Sequence, residues 1–227
     1  NFTPEYAKSI GDKLRENGIR VPILGCYINP SDANEESLNE SLDYFIENLH
    51  YAKYIGAEMV GLETCRFSDD DEINNSEETY QYLLKNMKKL VSAAEEIGVN
   101  VGIEGVHFHV INTPTKMKRL VDDLNSPNVR VIFDPVNYIN TANYKNQDEI
   151  INTHFDLLGE KTKLLHLKDF KLVDGEVAYE FPCDGLLNKD LLWDKLKQYN
   201  PDIAVILEEV KEDHLAQVKA AVEKRFV

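Results

Sequence analysis

Residues 97–104 read Ile-Gly-Val-Asn-Val-Gly-Ile-Glu and contain the end of a helix, a glycine and a short apolar strand. The amphipathic segment from about Glu77 to Ile97 predicts a helix that Gly98 terminates, because glycine readily adopts the left-handed conformation that closes a helix. The run Asn100–Glu104 has the composition of a buried parallel strand. One helix, one glycine and one strand therefore form a structural unit.

This unit recurs along the chain, with strands roughly 30 to 40 residues apart, as expected for successive strand–helix units. Alternating helices and strands predict a parallel sheet covered by helices. No glycine-rich phosphate loop follows a strand, so the sequence gives no support for a dinucleotide-binding fold. Helices are expected at about 4–17, 35–54, 77–97, 115–124, 148–158, 190–198 and 213–225. Strands are expected at about 21–27, 58–62, 100–104, 130–134, 164–167 and 204–208.

The number of strands indicates how much of a barrel this sequence supplies. A closed (β/α)8 TIM barrel has eight strands, two more than the six predicted here. We therefore expect an α/β TIM barrel that lacks its first two strands and first helix. The chain contains no Pro/Ser-rich linker or low-complexity tract, so residues 1–227 are expected to form a single domain.

Composition limits the partners and the location of the protein. Acidic residues outnumber basic ones by 40 to 25, giving a net charge of −15, which disfavours nucleic acid and anionic membranes. No apolar run approaches the length of a membrane span. The three cysteines, Cys26, Cys65 and Cys183, are widely spaced and odd in number, which is typical of reduced thiols. These features predict a cytoplasmic protein.

Polar side chains stand where the predicted strands end. In a TIM barrel the active site lies at this carboxyl end of the strands. Several carboxylates converging beside an apolar core would repel one another, and a divalent cation would offset that cost. Oxygen ligands with one imidazole favour Mn²⁺, with Mg²⁺, Co²⁺ and Zn²⁺ as alternatives. The residues at these positions are Glu63, Glu104, Asp134, His166 and Glu208.

Strand alternation selects among neighbouring residues. Glu208, rather than Glu209, continues the face of the preceding strand, so Glu208 is expected to point inward. His166 and Lys168 share one face in the same way. Each residue also has a simpler interpretation, since an acid at a strand end is often a helix cap and His166 could be a hydrogen-bonded core histidine. Their succession, one per structural unit, favours a shared site.

The segments around these residues resemble the sugar phosphate isomerase/epimerase superfamily of xylose isomerase-like TIM barrels (AP endonuclease family 2). This superfamily includes ketose 3-epimerases, hydroxypyruvate isomerase, inosose dehydratase and the more distant endonuclease IV. The additional histidines of the nuclease are not evident in this sequence, and the charge is unsuited to DNA. The similar segments are Gly-Val-Asn-Val-Gly-Ile-Glu104, Val-Ile-Phe-Asp134-Pro-Val-Asn137, Leu-Leu-His166-Leu-Lys168-Asp169 and Val-Ile-Leu-Glu208.

The resemblance implies that Glu104, Asp134, His166 and Glu208 bind one divalent cation. It also implies that Glu104 and Glu208 are the catalytic acid/base pair of a metal-dependent isomerase or epimerase. The substrate would be a small sugar, sugar phosphate or related hydroxy-ketone that reacts through an enediolate. Exposed barrel faces in this superfamily pair in many members, so a homo-oligomer is a further expectation.

Three further residues are candidates for substrate binding. Asn137 stands where many members of the superfamily carry a histidine, and it can hydrogen-bond but is a poor metal ligand. Lys168 could contact a substrate oxygen or phosphate, or form a structural salt bridge. His109 could line the mouth of the pocket, or lie on a loop surface.

Two other functions remain open at this point. The same metal and bases could serve a dehydratase that removes water from an inosose-like polyol. Alternatively, the barrel could retain its metal without catalytic activity.

Overall fold

The computed structural model describes residues 2–182 and 184–226, so one expected free thiol, Cys183, lies outside the described residues. The helices are α1 Pro4–Glu16, α2 Glu35–Ile55, α3 Asp71–Asn74, α4 Glu77–Ile97, α5 Pro114–Leu124, α6 Gln147–Leu158, α7 Lys189–Tyr199 and α8 Leu215–Phe226. The strands are β1 Leu24–Gly25, β2 Met59–Glu63, β3 Asn100–Glu104, β4 Val129–Phe133, β5 Thr162–Leu167, β6 Asp169–Val173, β7 Glu176–Glu180 and β8 Ala204–Leu207.

The long helices begin and end at the residues that the sequence marks. The side chain of Asn34 accepts a hydrogen bond from the N–H of Ser37 at the start of α2, and Ser76 accepts one from Thr79 in α4. Gly56 and Gly98 follow these two helices with φ of 85° and 79°, which confirms the predicted glycine stops. None of the helices within the described residues is long and apolar enough to cross a bilayer.

Six strands form one parallel sheet in the order β1-β2-β3-β4-β5-β8, with helices between consecutive strands. This arrangement confirms the prediction of six TIM-barrel strands. The first strand is shorter than expected. Within the predicted run 21–27, only Leu24–Gly25 pairs as a strand, and a single isolated bridge joins Val21 to Ala57. Pro22 lies between these two contacts and has no N–H to donate to a neighbouring strand.

The sheet is strongly curled. A Cβ atom built on Gly61 of β2 would lie 3.0 Å from Cδ1 of Ile132, a residue of β4, although β3 separates the two strands. Strands two apart in a flat sheet are separated by roughly 9–10 Å, so this contact requires curvature. Met59, Ile132 and Leu164 fill the inner side of the curled sheet. The outer side packs against the helices.

A β-hairpin, β6–β7, lies between β5 and α7 and was not among the predicted elements. Its strands pair antiparallel, with Asp169 opposite Glu180 and Val173 opposite Glu176. Asp174 and Gly175 form the turn with φ of 53° and 89°. Asp-Gly between two runs rich in apolar residues is a strong hairpin signal, so the sequence does contain the information. The hairpin lies beside the candidate site.

Candidate active site

Four polar side chains meet at the carboxyl end of the parallel sheet. Glu104 is the last residue of β3, Asp134 follows β4, His166 lies near the end of β5, and Glu208 follows β8. Because the strands are parallel, these positions share one end of the sheet. Glu104, Asp134 and His166 are no more than 2% exposed, whereas Glu208 is half-buried. The sequence therefore places three charged or polar groups in the interior.

Three of the four expected metal-binding residues form a tight cluster. One ligand atom from each of Glu104, Asp134 and His166 lies within 4.8 Å of the other two. Glu208 lies beside this cluster, with Oε1 3.0 Å from Nδ1 of His166, and Nδ1 is also 3.1 Å from Oε2 of Glu104. Its neighbour Glu209 is exposed and has φ of 56°, so Glu208 is the residue of this pair that reaches the site.

Lys168 supplies a second positive group. Its Nζ lies 2.7 Å from Oδ2 of Asp134 and 3.1 Å from Oε2 of Glu208. Two basic side chains, Lys168 and His166, therefore face the three carboxylates of Glu104, Asp134 and Glu208. If all five groups were ionised, the cluster would keep one negative charge, which favours an additional cation.

The pKa values reflect this crowding. Burial raises the pKa of Asp134 to about 6, against the opposing effect of Lys168. Burial disfavours the charged form of His166, but the carboxylates of Glu104 and Glu208 outweigh it and raise the pKa of His166 to about 10. Burial also disfavours ionisation of Glu208, yet its contacts with His166 and Lys168 lower its pKa to about 2. Glu208 is thus ionised at neutral pH.

The cluster has the features of a divalent-metal site. Oδ2 of Asp134 and Nδ1 of His166 are buried, and neither makes a hydrogen bond of acceptable geometry to any described residue. Their contacts are with charged neighbours at ion-pair distance, Lys168 for Asp134 and Glu104 for His166. Buried polar atoms without aligned partners are costly, and coordination would satisfy both. Carboxylate oxygens with one imidazole nitrogen are a donor set for Mn²⁺, Mg²⁺, Co²⁺ or Zn²⁺. The residues therefore fit a divalent cation.

Hydrogen bonds hold the acidic side chains in orientation. Nδ2 of Asn137 donates to Oε1 of Glu104 at 2.6 Å. The backbone N–H groups of Val136 and Asn137 donate to Oδ1 of Asp134 at 2.8 and 3.1 Å, which leaves Oδ2 directed away from them. Asn137, expected to bind substrate, thus contacts one of the acids. Such supporting contacts fix ligand orientation in metal sites.

His109 lies beside Glu63, at the edge of the candidate site. It is only 4% exposed, so the loop-surface alternative is wrong. Its Nδ1 accepts a hydrogen bond from the N–H of Cys65 at 3.2 Å, and its Nε2 lies 3.7 Å from Oε2 of Glu63. Burial lowers the pKa of His109 to about 4, so the ring is neutral and packs against Glu63.

Two residues outside the expected metal-binding, acid/base and substrate-binding sets also lie at this site. Glu63, the last residue of β2, is the register partner of Glu104, and burial together with the charge of Glu104 raises its pKa to about 7. Its position at a strand end was the available signal. Tyr179 of β7 covers Lys168, whose Nζ lies 4.8 Å from the ring centroid. Tyr179 could have been found only by recognising the Asp-Gly hairpin.

Comparisons with known proteins agree with this architecture. No curated protein sequence matches the chain. A D-tagatose 3-epimerase-like protein superposes with a TM-score of 0.80 at 17% identity, over 98% of this chain and 83% of its own. The IOLI protein, solved with a zinc atom, superposes with a TM-score of 0.77 at 18% identity, over 98% of this chain and 84% of its own. The 3-keto-D-glucoside 4-epimerase YcjR from E. coli superposes with a TM-score of 0.73 at 15% identity, over 98% of this chain and 84% of its own.

At these identities the structural likeness shows the fold. The family follows from the sequence itself, because the model of the xylose isomerase-like TIM barrel matches residues 1–225. The chain belongs to the xylose isomerase-like TIM barrel family.

Proposed function

We propose that this protein is a divalent-metal-dependent isomerase or epimerase that acts on a small sugar or a related hydroxy-ketone. The observation that carries the proposal is the buried cluster of Glu104, Asp134 and His166 with Glu208 at its edge. The similar structures include a D-tagatose 3-epimerase-like protein and a 3-keto-D-glucoside 4-epimerase, which supports a carbohydrate substrate.

Glu104, Asp134, His166 and Glu208 would hold the cation. When bound, a divalent cation polarises the carbonyl group of a ketose and stabilises the negative charge that develops on its oxygen. Zinc in the IOLI protein supports a divalent ion, and the donor set also suits Mn²⁺, which we propose as the ion. Asn137 holds Glu104 in place, and Lys168 compensates the charges of Asp134 and Glu208.

The two glutamates would move the proton. One carboxylate removes the proton from the carbon next to the carbonyl group, and the electron pair of the C–H bond forms the enediolate of the sugar. In an epimerisation, the other carboxylate returns a proton to the opposite face of that carbon. In an isomerisation, the proton is returned to the neighbouring carbon, and the hydroxyl proton on the first carbon moves to the oxygen of the former carbonyl group. Glu208 is half-buried whereas Glu104 is almost fully buried, so Glu208 is the more accessible of the two to substrate and is assigned the role of base.

The experiment that tests this function combines metal content, turnover and substitution. The protein is loaded with Mn²⁺ and assayed against D-fructose, D-tagatose, hydroxypyruvate and an inosose. We expect Glu104→Gln and Glu208→Gln to lower kcat by about 10²–10⁴-fold, because each removes an acid/base group. Glu209→Gln, at the exposed neighbouring position, is the matched control and should retain wild-type activity.

Near-wild-type turnover in either glutamate variant would refute the assigned roles. A product that has lost one water would instead assign the dehydratase function, since the same base can start an elimination. Bound metal without turnover on the whole panel would favour a metal-binding barrel that is not an enzyme.

A further inference from the structure

A second cleft, called here the rim cleft, lies among the loops at the carboxyl end of the sheet. Its volume is about 520 Å³. Its walls come from the loops that follow β2, β3 and β4 and from the start of the hairpin strand β7. The lining residues include Arg66, Asp71, Phe108, Asn112 and Glu176.

The rim cleft adjoins the candidate active site. The backbone oxygen of Asn137 accepts a hydrogen bond from the N–H of His107, a lining residue, at 2.6 Å, while the Asn137 side chain donates to Glu104. Asn137 therefore borders both places, so a ligand of two linked rings could reach from the cluster into the rim cleft.

The lining residues match a neutral polyhydroxylated ligand better than an anion. The cleft contains one guanidinium group, Arg66, and two carboxylates, Asp71 and Glu176. Arg66 is already engaged by Asp71, with Nη2 3.2 Å from Oδ1, so a phosphate would meet a neutralised cation and a second carboxylate. Sugar hydroxyls both donate and accept, and can therefore bond carboxylates, amides and guanidinium groups together.

Two details of the lining point to an absent ligand. Nε of Arg66 is buried and has no hydrogen-bond partner among the described residues. Phe108 is 40% exposed and lies under the guanidinium of Arg66, 5.9 Å from its Cζ atom. A partly exposed aromatic ring beside amide and carboxylate groups offers apolar surface with convergent polar contacts, as small-molecule sites do.

We propose that the rim cleft binds a second sugar unit, so that the substrate is a glycoside or keto-disaccharide whose reacting ketose lies at the Glu104–Asp134–His166 cluster. This proposal rests on the proposed function for the identity of the reacting unit. The occupancy of the cleft by a sugar is an independent property and can be measured without turnover.

The activity test compares substrates that differ by one sugar unit. The Mn²⁺-loaded protein is assayed with isomaltulose and lactulose, which are keto-disaccharides, and with D-fructose. We expect kcat/KM to favour a keto-disaccharide by roughly tenfold or more, the scale of one additional pocket contact. Phe108→Ala and Asn112→Ala should remove this preference by raising the KM for the disaccharide. Tyr54→Ala, an aromatic residue of α2 that is 41% exposed, is the matched control and should keep the wild-type ratio.

The binding test does not depend on catalysis. Sucrose and inorganic phosphate are titrated separately into the ¹⁵N-labelled protein, and backbone amide shifts are followed in wild type and in Phe108→Ala. Saturable shifts at Phe108 and Asn112 with sucrose, weakened in the variant, support the proposal. Shifts with phosphate alone, or no saturable shift with sucrose, overturn it. If no ketose is turned over but sucrose binds, the proposed function fails while the sugar-binding cleft stands.

Discussion

Nζ of Lys168 lies 2.7 Å from Oδ2 of Asp134, with 5% of the lysine and none of the aspartate exposed to solvent. Burial disfavours the charged lysine, but Asp134 and Glu208 more than offset this effect and raise its pKa. The lysine therefore remains charged and compensates the acids of the cluster.

Replacing Lys168 by methionine should destabilise the metal-free protein and increase the stabilisation that bound metal provides. The change leaves Asp134 buried without its cation, which costs about 3–5 kcal/mol in the free energy of unfolding. Bound Mn²⁺ should recover much of this loss, because it replaces the missing positive charge. Urea unfolding with and without Mn²⁺ measures both effects.

Lys171→Met is the control for this substitution. Lys171 pairs with Glu180 but its side chain is 51% exposed, so its removal should cost about 1 kcal/mol or less. Equal losses in the two variants would show that the Lys168 ion pair does not stabilise the fold.

Removing the side chain of Asn137 should weaken metal binding without unfolding the protein. Asn137 orients Glu104 through a 2.6 Å hydrogen bond, and loss of such a supporting contact reduces metal affinity by about 10–100-fold. Titration calorimetry with Mn²⁺ compares Asn137→Ala with wild type. Asn48→Ala, which removes a solvent-exposed hydrogen bond within α2, should bind with wild-type affinity. An unchanged Kd in the Asn137 variant would contradict the orienting role.

The stability of the protein should fall below about pH 6.5 because of a histidine that has no role in the proposed catalysis. His154 is fully buried, stacks on Phe133 with 3.6 Å between ring centroids, and bonds Thr162 through Nε2 at 2.9 Å. Burial lowers its pKa to about 3, whereas the unfolded chain takes up this proton near pH 6.5. The unfolded state thus binds more protons, and the free energy of unfolding falls by about 1.4 kcal/mol for each pH unit below that value.

Chemical unfolding of wild type and His154→Gln at about pH 7.5 and about pH 5.5 isolates this contribution. The wild type should lose more stability than the variant between the two pH values. The surface variant His50→Gln should follow the wild type. Parallel behaviour of wild type and His154→Gln would exclude the buried neutral histidine as a cause.

The ring of Tyr179 should matter for catalysis more than its hydroxyl group. The ring covers Nζ of Lys168 at 4.8 Å, which limits access of water to the buried charges. Tyr179→Ala should therefore lower kcat/KM by about tenfold, an effect on the scale of 1–2 kcal/mol for a partly desolvated cation–ring contact. Tyr179→Phe should stay close to wild type in the same steady-state assay. A large loss in the phenylalanine variant would assign the role to the hydroxyl group instead.

Short-range patterns in the sequence were sufficient for the seven longer helices, the order of the main strands and the end of the sheet at which the acids stand, but not for the one-turn helix α3. Gly98 and the run Asn100–Glu104 specify their own conformation through backbone freedom and strand composition, and parallel strands necessarily bring their carboxyl ends together. The hairpin turn at Asp174 and Gly175 was equally local, and it was missed although its signal is present.

Only the tertiary structure decided which of these groups touch. Lys168 and Glu208 are 40 residues apart in the chain, and whether the lysine pairs with an acid or remains free depends on how β5 and β8 align. The burial of His109 and its place against Glu63 likewise follow from the packing of separate loops. A local pattern fixes backbone conformation and the direction of a side chain. The distance between charges, and therefore their pKa values, depends on long-range packing and the exclusion of water.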